Sequence, residues 1–281
     1  MFEDHSFEIF DIHQHMGSTG DAHGLVNDTQ VSGANLNAAE LACRLEFMDA
    51  ARIRRAVAIP GHNYDRSEGA RATHAENLAI AAYRDAQPDR FPIAVGIVEP
   101  LDQAAAVEEL DRIVELGLRG VSFHTEYGGV TIDSPWMMKI LNRMGELGLV
   151  PLIHASNVVL HEALWRLGKI ARALPDLQIV ALEPFYTFDG LQECFFIADV
   201  APNIIFDTAS VAYTDLAIEL ARAFGAERVA YGSQYYSQIR RGKLRANRGT
   251  LTLNDIVTTE RLSDAEKQLI LGGNARRVFG L

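Results

Sequence analysis

The sequence predicts a closed barrel of eight parallel strands, each followed by a helix, as one domain over residues 1–281. Three observations carry this prediction. Short apolar runs alternate with stretches of helical periodicity from one end of the chain to the other. The runs are apolar almost throughout, as expected of strands in a parallel sheet covered by helices. The length, 281 residues, fits one barrel of ordinary size, about 250 residues. A doubly wound open sheet is the alternative that the same alternation allows.

The strands are predicted, in order, at Glu8–His13, Arg55–Pro60, Phe91–Val98, Val121–His124, Val150–His154, Gln178–Glu183, Ile204–Thr208 and Arg228–Gly232. Between and after them, helical spacing covers Asn37–Ala51, Thr73–Gln87, Ala104–Leu116, Pro135–Leu147, His161–Leu174, Leu191–Asp199, Tyr213–Phe224 and Ser263–Phe279. Local chemistry agrees with several of these boundaries. Ser134-Pro135 reads as an N-cap followed by proline in the first helical turn, where its missing N–H costs nothing. Ser263 and Glu266 have the spacing of a capping box. Gly117 and Gly148 follow helices, where a left-handed residue ends the last turn. Residues 17–35 and 237–250 read as long loops after the first and last strands, the second one basic.

Apolar residues make up 48% and charged residues 22%, enough to bury a large core. A net charge of −11 argues against general nucleic-acid binding, which needs a basic footprint. A locally basic mouth can still attract an anionic small molecule. Two cysteines, Cys43 and Cys194, do not make a disulfide framework, and a cytoplasmic setting follows as the expectation. There is no basic region leading into an apolar run at the start, and no run of about 18 apolar residues, so neither a signal peptide nor a membrane span is expected. Homo-oligomerisation is left open by composition.

In such a barrel the chemistry sits at the carboxyl ends of the strands. The first strand runs into His13-Gln14-His15. Residues two apart on an extended chain point the same way, so these imidazoles can converge on one point. His154 closes the fifth strand on the same barrel face. Three imidazoles from two strand ends are a ligand set for zinc, or for manganese or iron with a more oxygen-rich shell. His124 ends the fourth strand and reads as a substrate contact or wall residue; His62 follows the second and could line the mouth. His5, His23, His74 and His161 fall where surface or capping roles are expected. Glu108, Glu109 and Asp111 read as a solvated helix face.

The order of these motifs resembles the amidohydrolase-related family. Asp11-Ile-His13-Gln-His15 is similar to that family's opening motif, and Gln87-Pro-Asp-Arg-Phe91, Gly117-Leu-Arg-Gly120, Pro151-Leu-Ile-His154, Leu174-Pro-Asp-Leu-Gln178, Pro202-Asn-Ile-Ile-Phe-Asp207-Thr, Tyr231-Gly-Ser233 and Gly272-Gly-Asn-Ala-Arg276 continue the likeness along nearly the whole chain. The resemblance implies a (β/α)8 barrel. It also implies a hydrolase or a lyase: the family includes metal-dependent decarboxylases, hydratases and hydrolases, and lactonases that use no metal. Two positions depart from the pattern. The sixth strand usually ends in histidine, where this chain has Glu183. The eighth usually reads Gly-Ser-Asp, where this chain has Gly232-Ser233-Gln234. In relatives that aspartate binds the metal, activates water, or does both. A neutral amide oxygen is a weaker ligand and cannot take up a proton.

These readings lead to an enzyme acting on a small carboxylated or cyclic substrate, by hydrolysis or by decarboxylation. His13, His15 and His154 would hold one divalent ion, zinc by preference, with Glu183 as the anionic ligand or the acid–base group; a metal-free site is the alternative. His154 and His124 would share in catalysis, Gln234 and His62 would touch the substrate, and Arg240 and Arg241 would grip its carboxylate with their planar donor forks. The competing class is a barrel that has lost its chemistry and binds a small molecule or a protein, suggested by the missing last-strand aspartate.

Overall fold

The computed structural model describes residues 5–18, 36, 38–211, 213–237 and 248–281. The elements alternate as β1 (Ile9–Ser18), α1 (Ala38–Ala50), β2 (Ile53–Ile59), α2 (Ala70–Ala86), β3 (Ile93–Ala94), β4 (Gly96–Ile97), α3 (Ala104–Glu115), β5 (Gly120–Phe123), α4 (Pro135–Leu147), β6 (Val150–His154), α5 (Leu164–Ala173), β7 (Ile179–Leu182), α6 (Phe188–Val200), β8 (Ile204–Asp207), α7 (Thr214–Phe224), β9 (Val229–Ala230) and β10 (Tyr235–Ser237). Three helices end the chain: α8 (Arg248–Thr258), α9 (Asp264–Gln268) and α10 (Asn274–Phe279). No described helix is long and apolar enough to cross a membrane.

Among the described residues all strand pairs are parallel, in two runs: β10-β1-β2-β3 and β4-β5-β6-β7-β8-β9. The runs join at both seams, and the fold is a (β/α)8 barrel. At the first seam, β3 and β4 are halves of one barrel strand, the predicted Phe91–Val98. Val95 N donates to Ala58 O of β2 at 3.0 Å, while Arg119 N, leading into β5, donates to Ala94 O at 2.9 Å. At the second seam, Thr208 N donates to Ala230 O at 3.0 Å, Ile12 N to Tyr231 O at 2.9 Å, and Gln234 N to His13 O at 2.8 Å. The eighth barrel strand is therefore β9 and β10 together, broken over residues 231–234. β1 runs five residues beyond the predicted His13, because its last part pairs with β10, at Gln14↔Tyr235 and Ser18↔Ser237.

Alternation with period two divides the core. Phe10 and Ile12, Val57 and Ile59, Ile93 and Val95, and Val180 and Leu182 pack together inside the barrel, with Ala275 and Phe279 of α10 against them. The intervening residues, such as Ala56, Ala58, Val121 and Ala181, join the helices in a second, larger apolar layer. Each fully buried Leu, Ile or Phe contributes roughly 1.5–3 kcal/mol, so these two layers dominate the stability.

Helix boundaries follow local chemistry where the predictions used it. Ser134 Oγ accepts from Met137 N at the start of α4, and Ser263 and Glu266 close a capping box on α9. Tertiary demands explain the differences. The predicted Ser263–Phe279 helix is interrupted by a π-turn over Leu269–Gly273. There Ile270 O is taken by Tyr231 N at 2.8 Å, and Gly272 lies against β1, where a Cβ would sit 2.5 Å from Glu8 O. The predicted His161–Leu174 helix begins only at Leu164, because His161 O accepts from Ile132 N at 3.0 Å in a preceding 3-10 turn. Glu109 corrects the expected solvated face. It is buried, accepting from Asn77 Nδ2 at 2.9 Å, His74 Nδ1 at 2.8 Å and Arg112 Nη1 at 2.9 Å. The carboxylate lies between α2 and α3 because Asn77, itself tied to both backbone groups of Ile97, leaves an amide that must be satisfied there.

Candidate functional site

The carboxyl end of β1 supplies two imidazoles and β6 supplies a third. His13 Nε2 lies 2.9 Å from His15 Nε2, which lies 3.3 Å from His154 Nε2. One ligand atom from each of the three falls within 4.8 Å of the others. All three side chains are buried. Each Nδ1 is occupied by an oxygen that can only accept. His15 Nδ1 donates to Pro60 O at 2.9 Å, His154 Nδ1 to Phe123 O at 2.9 Å, and His13 Nδ1 to Asp207 Oδ2 at 2.5 Å. These partners leave the Nε2 lone pairs facing one another. Such a convergence is unfavourable by itself, and a cation between the three nitrogens relieves it. The donor set therefore fits a divalent metal, with each ligand oriented by a second oxygen behind it.

The electrostatics of His15 and His154 agree with this geometry. Burial first, then the neighbouring imidazoles, push His15 and His154 well below the ordinary histidine value, which keeps them neutral. Burial also acts to lower His13, but the Asp207 carboxylate and its hydrogen bond outweigh it, and His13 is held above the ordinary value.

Two further histidines pack against these three. His62 is buried, its Nε2 2.9 Å from Ser122 Oγ, its ring 5.4 Å from that of His154. Burial first, then the neighbouring His124, His15, Arg66 and His13, push it well below the ordinary value. His124 stacks on His154, centroids 4.0 Å apart at 14°, and its Nδ1 donates to Glu162 Oε1 at 2.9 Å. Tyr236 stacks on His15 at 4.9 Å.

Glu183 and Gln234 meet at a third place, joined by Ser210. Ser210 Oγ contacts Gln234 Oε1 and lies 3.2 Å from Glu183 Oε1. Glu183, Ser210 and Gln234 have φ of 57°, 54° and 52°, the left-handed region that non-glycine residues rarely occupy. Glu183 and Ser210 stand just past β7 and β8, and Gln234 at the break between β9 and β10. Backbone strain of this kind, about 1–3 kcal/mol each, persists where surrounding structure holds it and gathers at functional sites. Burial raises the Glu183 carboxyl above its ordinary 4.5, against the opposing pull of His13 and His124. Its carboxylate is not in the group of ligand atoms that His13, His15 and His154 form. Arg240 and Arg241 lie outside the described residues.

Four contributing residues had no role in the sequence reading. Asp207 and Asp11 hold His13, the latter through Asp11 Oδ1, which accepts from His13 N and Ser233 N at 3.0 Å each. Ser210 bridges Glu183 and Gln234, and Glu162 orients His124. Asp207 carried a usable signal, a carboxylate at the carboxyl end of the seventh strand. Glu162 carried none, since it comes from a turn before α5.

The sequence profile of the amidohydrolase family matches residues 11–281. The chain belongs to the amidohydrolase family. No curated protein matches the sequence. Among solved structures, this amidohydrolase is similar to the 5-carboxyvanillate decarboxylase LigW from Sphingomonas paucimobilis, with 18% identity and a TM-score of 0.67 over 98% of this chain and 100% of that one. A dihydroxybenzoic acid decarboxylase from Polaromonas sp. JS666, with bound manganese and the inhibitor 2-nitroresorcinol, has 17% identity and a TM-score of 0.70 over 98% of each chain. The 4-oxalomesaconate hydratase LigJ from Rhodopseudomonas palustris has 19% identity and a TM-score of 0.69 over 97% of this chain and 95% of that one. At these identities the likeness is one of fold.

Proposed function

We propose that this amidohydrolase is a lyase that removes the carboxyl group of a small hydroxylated aromatic acid, using one divalent ion at its three-histidine centre. The carrying observation is the convergence of three Nε2 lone pairs, each backed by an acceptor oxygen. Manganese in the similar dihydroxybenzoic acid decarboxylase and the aromatic acids named for two of the similar enzymes support the same reading. His13, His15 and His154 would hold the ion, which supplies positive charge to orient the substrate's oxygens and to stabilise negative charge as it develops. Manganese replaces zinc as the preferred metal in this proposal.

The chain's own residues do the rest. Decarboxylation breaks the bond between ring and carboxyl carbon, releases carbon dioxide and leaves an electron pair on the ring carbon, which takes up a proton. Glu183 is the proposed donor, since burial favours its protonated form. Ser210 Oγ lies 3.2 Å from Glu183 Oε1 as its hydrogen-bond donor, and also contacts Gln234 Oε1. His124, fixed by Glu162, and His62 form the wall against which a flat ring can lie. Arg240 and Arg241, from the basic stretch after the eighth strand, are proposed to grip the substrate's carboxylate.

The test is an assay of the manganese-loaded protein on 2,6-dihydroxybenzoate, 5-carboxyvanillate and related acids, following carbon dioxide release. Turnover of lactones or amides, with every aromatic acid left intact, would replace the lyase reading by a hydrolase.

A further inference from the structure

Asp207 ends β8 with its side chain fully buried, and both of its oxygens are committed. Oδ2 accepts from His13 Nδ1 at 2.5 Å. Oδ1 accepts from Glu183 N at 2.8 Å and from Ala209 N at 3.2 Å. One carboxylate thus spans the first, sixth and seventh barrel strands. The chain makes room for it: at Gly232 a Cβ would lie 2.8 Å from Asp207 Oδ2 and 2.8 Å from His13 Cβ. Glu183 is also one of the residues held at positive φ, at 57°, and the bond from its N–H to Asp207 Oδ1 is a contact that holds this turn.

We infer that Asp207 is a positioning residue that locks His13 and Glu183 into one fixed relation, one oxygen for each. Through Oδ2 it keeps the His13 proton on Nδ1 and the lone pair of Nε2 turned to the centre. Through Oδ1 it sets the backbone from which the Glu183 side chain leaves. The metal-binding histidine and the proposed proton donor are then not independent, because a shift of this carboxylate moves both. This rests on the proposed reading of His13 as a ligand and Glu183 as the donor, but the contacts do not.

Asp207→Asn separates the two arms, because an amide offers one acceptor oxygen where the carboxylate offers two. Three readouts follow: manganese affinity by titration with Mn²⁺ alone, the His13 Nδ1–H resonance in ¹⁵N-histidine-labelled protein, and hydrogen exchange at the Glu183 amide. The variant is expected to bind Mn²⁺ about 10–100-fold more weakly, the usual scale for losing an outer partner of a ligand. The His13 resonance should move or vanish, or the Glu183 amide should exchange at least about tenfold faster than in the wild type, as its protecting bond is lost. A folded variant with both proton signals and the affinity unchanged overturns the inference. If the variant does not fold, the wild type decides: a His13 without a proton on Nδ1 at neutral pH, or a freely exchanging Glu183 amide, overturns it, and a protonated Nδ1 with a protected amide supports it. A wild type that binds no Mn²⁺ removes the metal centre of the proposed function, while the two proton readouts still judge Asp207.

Discussion

His154 shows how a single imidazole can be separated into fold and function. Its Nδ1 bonds to Phe123 O, and its Nε2 faces the centre. His154→Ala should abolish Mn²⁺ binding and turnover while costing only about 1–3 kcal/mol, the penalty of one buried carbonyl left without its partner. Metal analysis beside a thermal melt checks this, and a variant that unfolds would make His154 structural. Glu183 adds a pH signature. Its folded value is raised above the ordinary 4.5 by burial. Above 4.5 the folded chain therefore holds this proton longer than the unfolded chain does, so stability falls as pH rises through that window. Glu183→Gln removes the slope: melts of the variant should match the wild type near about pH 4 and exceed it at about pH 8. The same variant should lose activity by roughly 10²-fold or more if Glu183 carries the proton. Gln234→Asp returns a carboxylate beside Ser210 and should tighten Mn²⁺ binding, measured by competition with a chelator; an unchanged affinity would mean that residue 234 does not reach the ion.

At the scale of elements, the irregular pieces do the positioning. The regular strands end in line, but the break between β9 and β10 is what lets Gln234 N reach His13 O while Gly232 leaves space for Asp207. The π-turn in the last helix works in the same way, presenting Ile270 O to Tyr231 N at the second seam. Gly272 is the residue that allows this approach to β1. Gly272→Ala would place a methyl 2.5 Å from Glu8 O and 3.0 Å from Phe10 N, both backbone atoms. The strand or the turn must shift, at a cost of about 1–3 kcal/mol or more. Urea melts would show a lowered midpoint, and loss of Mn²⁺ affinity should accompany it because β1 carries His13 and His15. An unchanged midpoint would show that the seam yields freely.

For the whole molecule, the centre ties together the ends of β1 and β6, on opposite flanks of the barrel, with Asp207 and Pro60 O behind it. An ion bound there only in the folded state must stabilise the entire barrel. At a free Mn²⁺ concentration of 100 times its dissociation constant the gain is about 2.7 kcal/mol. For a chain of this size that corresponds to roughly 5 °C in melting temperature. Melting with and without EDTA measures it, and coincident curves would argue for a metal-free centre.

The sequence by itself determined the barrel, because its evidence is local and repeated. Apolar runs, helical spacing and caps such as Ser134 and Ser263 act within a few residues. It also placed His13, His15 and His154 together, since strand ends of a barrel share one face. What only the tertiary structure decided is how these groups are held. Asp207 meets His13 across 194 positions, Arg44 threads its guanidinium to His15 O at 2.7 Å, and Ser210 joins two residues that depart from the family pattern. Glu109 was misread because its partners Asn77 and His74 come from another helix. No periodicity encodes such contacts. They depend on which polar groups the packed barrel leaves buried, and a buried donor or acceptor must find whatever partner the neighbouring strand end provides.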